Sequence, residues 1–434
     1  MNFKWLFRLL LASILVLPSS GQSLGANVTI VSAEDFLSSL GIDTHIDQGV
    51  PGASYIAPLR YLGVRNIHDG GRHWRQVELV NRQTGARLDM LGEGDLEAMI
   101  STGKALAASN ALLAFEGPNE PNNFPIAYNG KLGGGTGSWA PVAQFQKDLY
   151  QAVKSDPDLR KYPVFAVSEA GGETDNVGLQ FLTIPAGAKA IFPEGTQFAD
   201  YANPHNYVSS TQKIYVNNQA WNAADPTLNG PWDGLFVEYG LTWRHHFKGY
   251  ENSDLMSLPR VTTETGWDSV SDLGGERTQG TVLVNTYLAQ FKRGWRYTFI
   301  YQLRDGEGGT GNQGVFHADS TPKLAATYIH NLTTILADDR PLGSSRQLNY
   351  SIVNQPATVH DLLLQKSNGA FELVIWDENA SGNDRVAVNL GETYGTVNVF
   401  DVTVGTSPTQ TLSNVGTVAL TLNDHAMIVE LTKP

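Results

Sequence analysis
Short apolar runs alternate with helix-period stretches from about residue 33 to residue 337, and period-two patterning follows to the C-terminus. In the first part, residues 40–46, 64–68, 87–91, 112–115, 164–167, 201–207, 261–264 and 298–303 read as strands. Residues 94–109, 142–154 and 278–293 carry helical spacing between them. Eight strands separated by helices over about 300 residues predict an α/β fold, a (β/α)8 TIM barrel. A doubly wound open sheet is the alternative.

The texture changes after the helical run 323–336. Residues 361–365, 371–376, 385–389, 396–402, 417–422 and 427–431 alternate apolar and polar positions, with Gly, Asn and Asp between the runs. That pattern predicts a C-terminal antiparallel β-sandwich. No flexible linker precedes it, so it is expected to pack against the barrel.

The chain's start reads differently. Lys4 and Arg8 precede an apolar run over residues 9–17, too short to span a bilayer, and small residues follow at 18–26. This is the pattern of a signal peptide, with an uncleaved anchor as the alternative. The expected division is a signal peptide over 1–25, a catalytic barrel over 26–338 and a β-sandwich over 339–434. Export to a secreted or periplasmic location, with no membrane span after cleavage, is the resulting expectation.

Composition narrows the chemistry. The chain has no cysteine, which excludes thiol nucleophiles and Cys-ligated metals and leaves stability to the core. Thirty basic against 43 acidic residues give a net charge of −13, which disfavours nucleic acid and other polyanions. After the expected leader no HExxH, GxSxG or P-loop pattern occurs. Asp305 and Glu307 lack EF-hand spacing. The reading therefore calls for no metal and no cofactor, and for a monomer.

Two glutamates carry the chemical signal. Glu120 stands in Gly117-Pro118-Asn119-Glu120-Pro121-Asn122, and Glu264 in Thr263-Glu264-Thr265-Gly266-Trp267. Each follows a strand pattern, and strand C-terminal ends are where a barrel puts its catalytic groups. Two carboxyls facing one another across a sugar bond are what retaining glycoside hydrolysis requires. Glu120 suits the proton donor if burial and the second carboxylate raise its pKa. Glu264, kept ionised, suits the nucleophile.

These motifs resemble the strand-four and strand-seven signatures of clan A retaining glycoside hydrolases. Families with an appended sandwich are most similar, such as family thirty-nine and its relatives in families five, thirty, fifty-one and seventy-nine. The resemblance spans nearly all of the chain after the leader. It implies Glu120 as acid/base, Glu264 as nucleophile and Asn119 as a partner of the sugar 2-hydroxyl. In Pro204-His205-Asn206-Tyr207 it implies support of the nucleophile by Tyr207, with His205 beside it. At residue 68 many members of the clan have arginine near the nucleophile, whereas this chain has His68. His45, Trp267 and Tyr301 complete the expected substrate-binding set. The rival readings are an inverting hydrolase and a carbohydrate-binding or surface protein built on an inactive barrel.

Overall fold
The computed structural model describes residues 30–168, 179, 182–184, 191–208, 215–228, 251–270, 274–338, 340–344 and 346–432. The expected signal segment lies outside these residues.

The first layer is a (β/α)8 barrel. Seven parallel strands form one sheet: Leu40–Asp43, Asn66–Asp69, Arg87–Gly92, Leu112–Pro118, Val164–Phe165, Arg260–Thr265 and Trp295–Ile300. The first and last pair directly, with Ile42 opposite Ile300. The remaining gap is closed by Tyr201 and Ala202, which bridge in parallel to Phe165 and Arg260. The Ala166 and Val261 amides donate across this seam at 2.9 Å each. The sixth strand, expected over 201–207, is thus shortened to two bridging residues. Pro204 has no N–H for the ladder, so the chain leaves the sheet there.

Helices cover the outside, each with an apolar face toward the strands. Asp95 caps Leu96–Ala108, its carboxylate accepting from the Ala98 amide at 3.0 Å. Ala140–Ser155 buries Val142, Phe145, Leu149 and Val153 at helical spacing. Gly275–Lys292 is buried along nearly its whole length, because it lies between the barrel and the second layer.

That second layer is the β-sandwich. Its strands run in the order Val31–Ser32, Val359–Gln365, Phe371–Asp377, Ala426–Thr432, Asp384–Asp401 and Ser351–Val353, with Gln410–Leu422 also on Asp384–Asp401. The runs expected at 385–389 and 396–402 are one continuous strand. The turn-forming residues between them mark a shift in register, between Asn389 and Tyr394, rather than a loop. Val31–Ser32 adds a parallel edge to Val359–Gln365, so the start of the barrel chain also belongs to this sheet.

The two layers share one apolar core. Phe36, Tyr287, Leu332, Leu364, Val374, Trp376 and Ile428 belong to the same buried cluster. Polar contacts pin the seam. The Asn331 amide donates to the Val402 carbonyl at 2.8 Å, and Lys366 Nζ to the Ile335 carbonyl at 2.6 Å. Arg277 on the long helix forks onto Asp424. Among the described residues no helix is long and apolar enough to cross a membrane.

Candidate active site
The strand Leu112–Pro118 is buried at every position, and its end approaches its neighbours closely. A Cβ at Gly117 would overlap the Gln146 side chain and the Val167 backbone, so only glycine fits. The chain then turns sharply. Glu120 has φ +39°, in the left-handed region that a glutamate seldom adopts. Its carbonyl accepts from the Asn123 and Phe124 amides at 2.8 and 2.7 Å. This turn aims the Glu120 carboxyl over the barrel mouth, where Oε1 lies 2.7 Å from His205 Nδ1 and Oε2 accepts from Asn123 at 2.9 Å.

Glu264 stands one residue before the end of Arg260–Thr265 in the same sheet. Its Oε2 accepts from the Tyr207 hydroxyl at 2.8 Å and lies 3.6 Å from His205 Nδ1. A carboxylate oxygen of Glu120, one of Glu264 and a His205 nitrogen all fall within 4.8 Å of one another. Both carboxyls line a cavity of about 830 Å³.

The other expected residues divide. Asn119, His45, His68, Tyr207 and Tyr301 line that cavity with the glutamates. Asn119 Oδ1 accepts from the Ser168 hydroxyl at 3.4 Å. Tyr301 stands edge-on to Tyr207 and His45, with ring centres 6.3 and 5.7 Å away. Gly308, at φ +58°, lies against the Tyr301 hydroxyl and His45 Nε2, where a Cβ would clash with both. The Gly-rich loop therefore forms one rim of the cavity.

Two expectations need correction. Trp267 is fully buried in the shared apolar core and is not among the cavity-lining residues, because the chain turns away from the mouth after Thr265. It packs edge-on to Tyr215. His205 is also fully buried and does not face the cavity. It sits behind the glutamates as a partner of Glu120 rather than as a sugar contact.

A layer of buried charge lies beneath the mouth. His68 is held between Asp43 and Glu116, with Nδ1–Oδ2 at 3.0 Å and Nε2–Oε2 at 2.9 Å. Asp89 is fully buried beside them. Asp43 lies within the expected strand 40–46 and Glu116 directly after the expected strand 112–115, yet neither was singled out from the sequence. The available signal was an acid at or near the end of an otherwise apolar strand run, where a charge needs a partner.

The electrostatics follow from these contacts. Burial lowers the pKa of His68, but the Glu116 and Asp43 charges outweigh it and hold the ring well above its usual range. Burial pushes Asp89 well up, and the neighbouring Glu116 charge adds to this. Burial alone would raise Glu120, yet its hydrogen bond to His205 and the charge there bring it below the usual carboxylate range. Against burial, the Glu264 charge and the Glu120 hydrogen bond raise His205 to about 9. Glu264 is pushed up to about 7, first by burial and then by Asp43 and Glu120. The expected directions for the two glutamates are therefore reversed. The reason is that His205 stands 2.7 Å from Glu120 but 3.6 Å from Glu264.

Three sets of acids and histidines are close enough to hold an ion: Asp43 with His68 and Glu264, His68 with Asp89 and Glu116, and Glu120 with His205 and Glu264. Each set contains a histidine whose ring already serves as the cation between carboxylates. A metal there would have to displace that proton.

No family model matches the chain, and no curated protein matches it in sequence. In fold it is similar to a family 39 glycoside hydrolase from the gut symbiont Bacteroides cellulosilyticus WH2. The TM-score is 0.56 at 16% identity, over 93% of this chain and 83% of that one. It is also similar to a family 30 subfamily 8 xylanase from Clostridium acetobutylicum, with TM-score 0.54 at 11% identity over 94% and 98% of the two chains. A family 51 arabinofuranosidase from Xanthomonas axonopodis pv. citri gives TM-score 0.54 at 13% identity over 95% and 98%. The barrel with an appended sandwich is thus a fold shared with clan A glycoside hydrolases.

Proposed function
We propose that this protein is an exported retaining glycoside hydrolase that cleaves β-linked bonds, with a polysaccharide as its substrate. One observation carries the reading. Two carboxyls from separate strand ends meet at one cavity, with oxygens within 4.8 Å. That approach suits the roughly 5–5.5 Å spacing of a nucleophile and its acid/base partner, and leaves little room for the water of an inverting pair. The likeness in fold adds weight, since solved proteins of this architecture include a xylanase and an arabinofuranosidase.

In this mechanism Glu264, ionised, attacks the anomeric carbon while Glu120 protonates the leaving oxygen. The Tyr207 hydroxyl steadies Glu264 Oε2 before attack. Water then enters, Glu120 takes its proton, and the glycosyl–Glu264 bond breaks with net retention. Glu264 must lose its proton, near pH 7, and the Glu120–His205 pair must keep one, which His205 holds to about pH 9. A plot of kcat/KM against pH for the free enzyme should therefore rise near 7 and fall near 9. A profile flat across that range would contradict the assignment.

The test of function is incubation of the protein with a panel of β-glycans and aryl glycosides, with products read by mass spectrometry. Released sugars support the reading. Binding without any product would support the carbohydrate-binding alternative.

A further inference from the structure
His205 touches more than Glu120. Its Nε2 lies 2.9 Å from Thr263 Oγ1. That hydroxyl has one proton and two acceptors competing for it, Glu116 Oε1 at 3.2 Å and Asn203 Oδ1 at 3.1 Å. The Asn203 amide is itself oriented. Its Oδ1 accepts from the Thr263 amide, and its Nδ2 donates to Thr263 Oγ1 at 3.0 Å and to the Ala166 carbonyl at 3.3 Å. Thr263, Asn203, Glu116 and His205 are all fully buried, so no bulk water competes. Thr263 Oγ1 thus accepts from Asn203 Nδ2 and gives its one proton to the Glu116 carboxylate, which leaves its second lone pair facing His205 Nε2.

We propose that the buried Glu116–Thr263–His205 chain fixes a proton on His205 Nε2, so that Nδ1 trades a single proton with Glu120. This deepens the glycosidase reading and rests on it for its kinetic consequence. In the free enzyme Nδ1–H faces an ionised Glu120. On substrate binding the Nδ1–H bond breaks and the Glu120 Oε1–H bond forms. Imidazolium and carboxylate become neutral imidazole and carboxylic acid, with no change in net charge. Glu120 then gives that proton to the leaving oxygen as the sugar bond breaks. In the second step the proton taken from water returns by the same route. Thr263 and Glu116 touch no substrate and act as positioning residues.

Other charges face His205. Glu264 lies 3.6 Å from Nδ1, and the His68 ring stands edge-on at 6.5 Å, itself paired with Asp43 and Glu116. Asp89 adjoins Glu116, and burial together with the Glu116 charge holds its carboxyl well above the usual range. Substitution at Thr263 leaves these groups in place but also takes the hydroxyl from Glu116 and Asn203, so a serine that restores all three contacts is the control.

Two measurements test the proposal. The first is ¹⁵N NMR of histidine-labelled wild-type protein, with His205 assigned by its loss in His205→Gln. Nε2 should stay protonated from pH 6 to pH 10 while only Nδ1 titrates. An unprotonated Nε2 in that range overturns the chain, whether or not the protein cleaves sugars. The second compares Thr263→Val with Thr263→Ser. Valine should move the basic limb of kcat/KM down by about one unit, because the imidazolium loses an acceptor, and serine should restore it. A valine variant with the wild-type limb overturns the proposal, even if its rate is lower. If Thr263→Val does not fold, the NMR measurement decides alone. If the wild type shows no turnover, the functional reading fails while the NMR result still stands.

Discussion

Beside the apolar core that the two layers share, the sandwich and the barrel each enclose an interior, and these two are built on opposite rules. The sandwich encloses Leu363, Leu373, Ile375, Val388, Val397, Val399, Val418 and Val429, an apolar filling from alternate strand positions. The barrel encloses Asp43, His68, Asp89, Glu116 and His205, with Phe299 edge-on to His68 at 6.0 Å. Buried charge is expensive and survives only when paired. The barrel tolerates it because each histidine stands between carboxylates. One interior gains stability from apolar burial. The other gives up some of that gain to hold charges in set positions under the site.

Removing a whole region tests this contrast most severely. Without residues 340–434 the barrel would expose the face now covered by Leu364, Val374, Trp376 and Ile428. The fragment is expected to aggregate, as light scattering would register. A soluble and active fragment would break the idea that the sandwich supports the barrel.

A single substitution in the charged interior comes next. His68→Leu leaves Asp43 and Glu116 without their cation and should cost about 3–5 kcal/mol in denaturant unfolding. A leucine tolerated there would mean that the barrel interior is not held by its ion pairs.

The smallest effect belongs to the seam between the regions. His425 lies 3.1 Å from Asp401 Oδ2 and 3.8 Å from Asp424 Oδ1. Burial lowers its pKa, but these acids raise it to about 9. Because the folded value lies above the ordinary 6.5, the stabilisation is full below about pH 6.5 and is lost as pH rises through about 9. The thermal midpoint should fall over that interval in the wild type and fall less in His425→Gln. Equal slopes would remove His425 from the seam.

The sequence was most legible where one physical rule acted alone. Alternation gave the outer sandwich strands such as Gln410–Leu422, where one face is buried and the other is wet, and the near-continuous apolar run 371–376 gave a strand buried on both faces. The runs 385–389 and 396–402 looked separate only because a register shift and a loop use the same residues. In the barrel, Glu120 and Glu264 were legible from their motifs. Glu116, Thr263 and Asp43 were not, since partners brought from distant strands decide what a buried polar residue does. Trp267 misled for the same reason: proximity in sequence to Glu264 says nothing about which way the chain turns after the strand. The reversed pKa directions depend on His205 lying nearer Glu120, a difference of distance that no local pattern encodes.

The central claim is that Glu120 and Glu264 act as acid/base and nucleophile, and azide rescue tests it most directly. Glu264→Ala should abolish turnover of every substrate, since no covalent intermediate can form. Glu120→Ala should still form the intermediate from an activated aryl glycoside, whose leaving group needs no proton, and then stall for want of a base. Added azide needs no base, so it should restore turnover of Glu120→Ala and give a glycosyl azide of retained configuration by NMR. Rescue of Glu264→Ala to a retained product, or full activity in either variant without azide, would contradict the account.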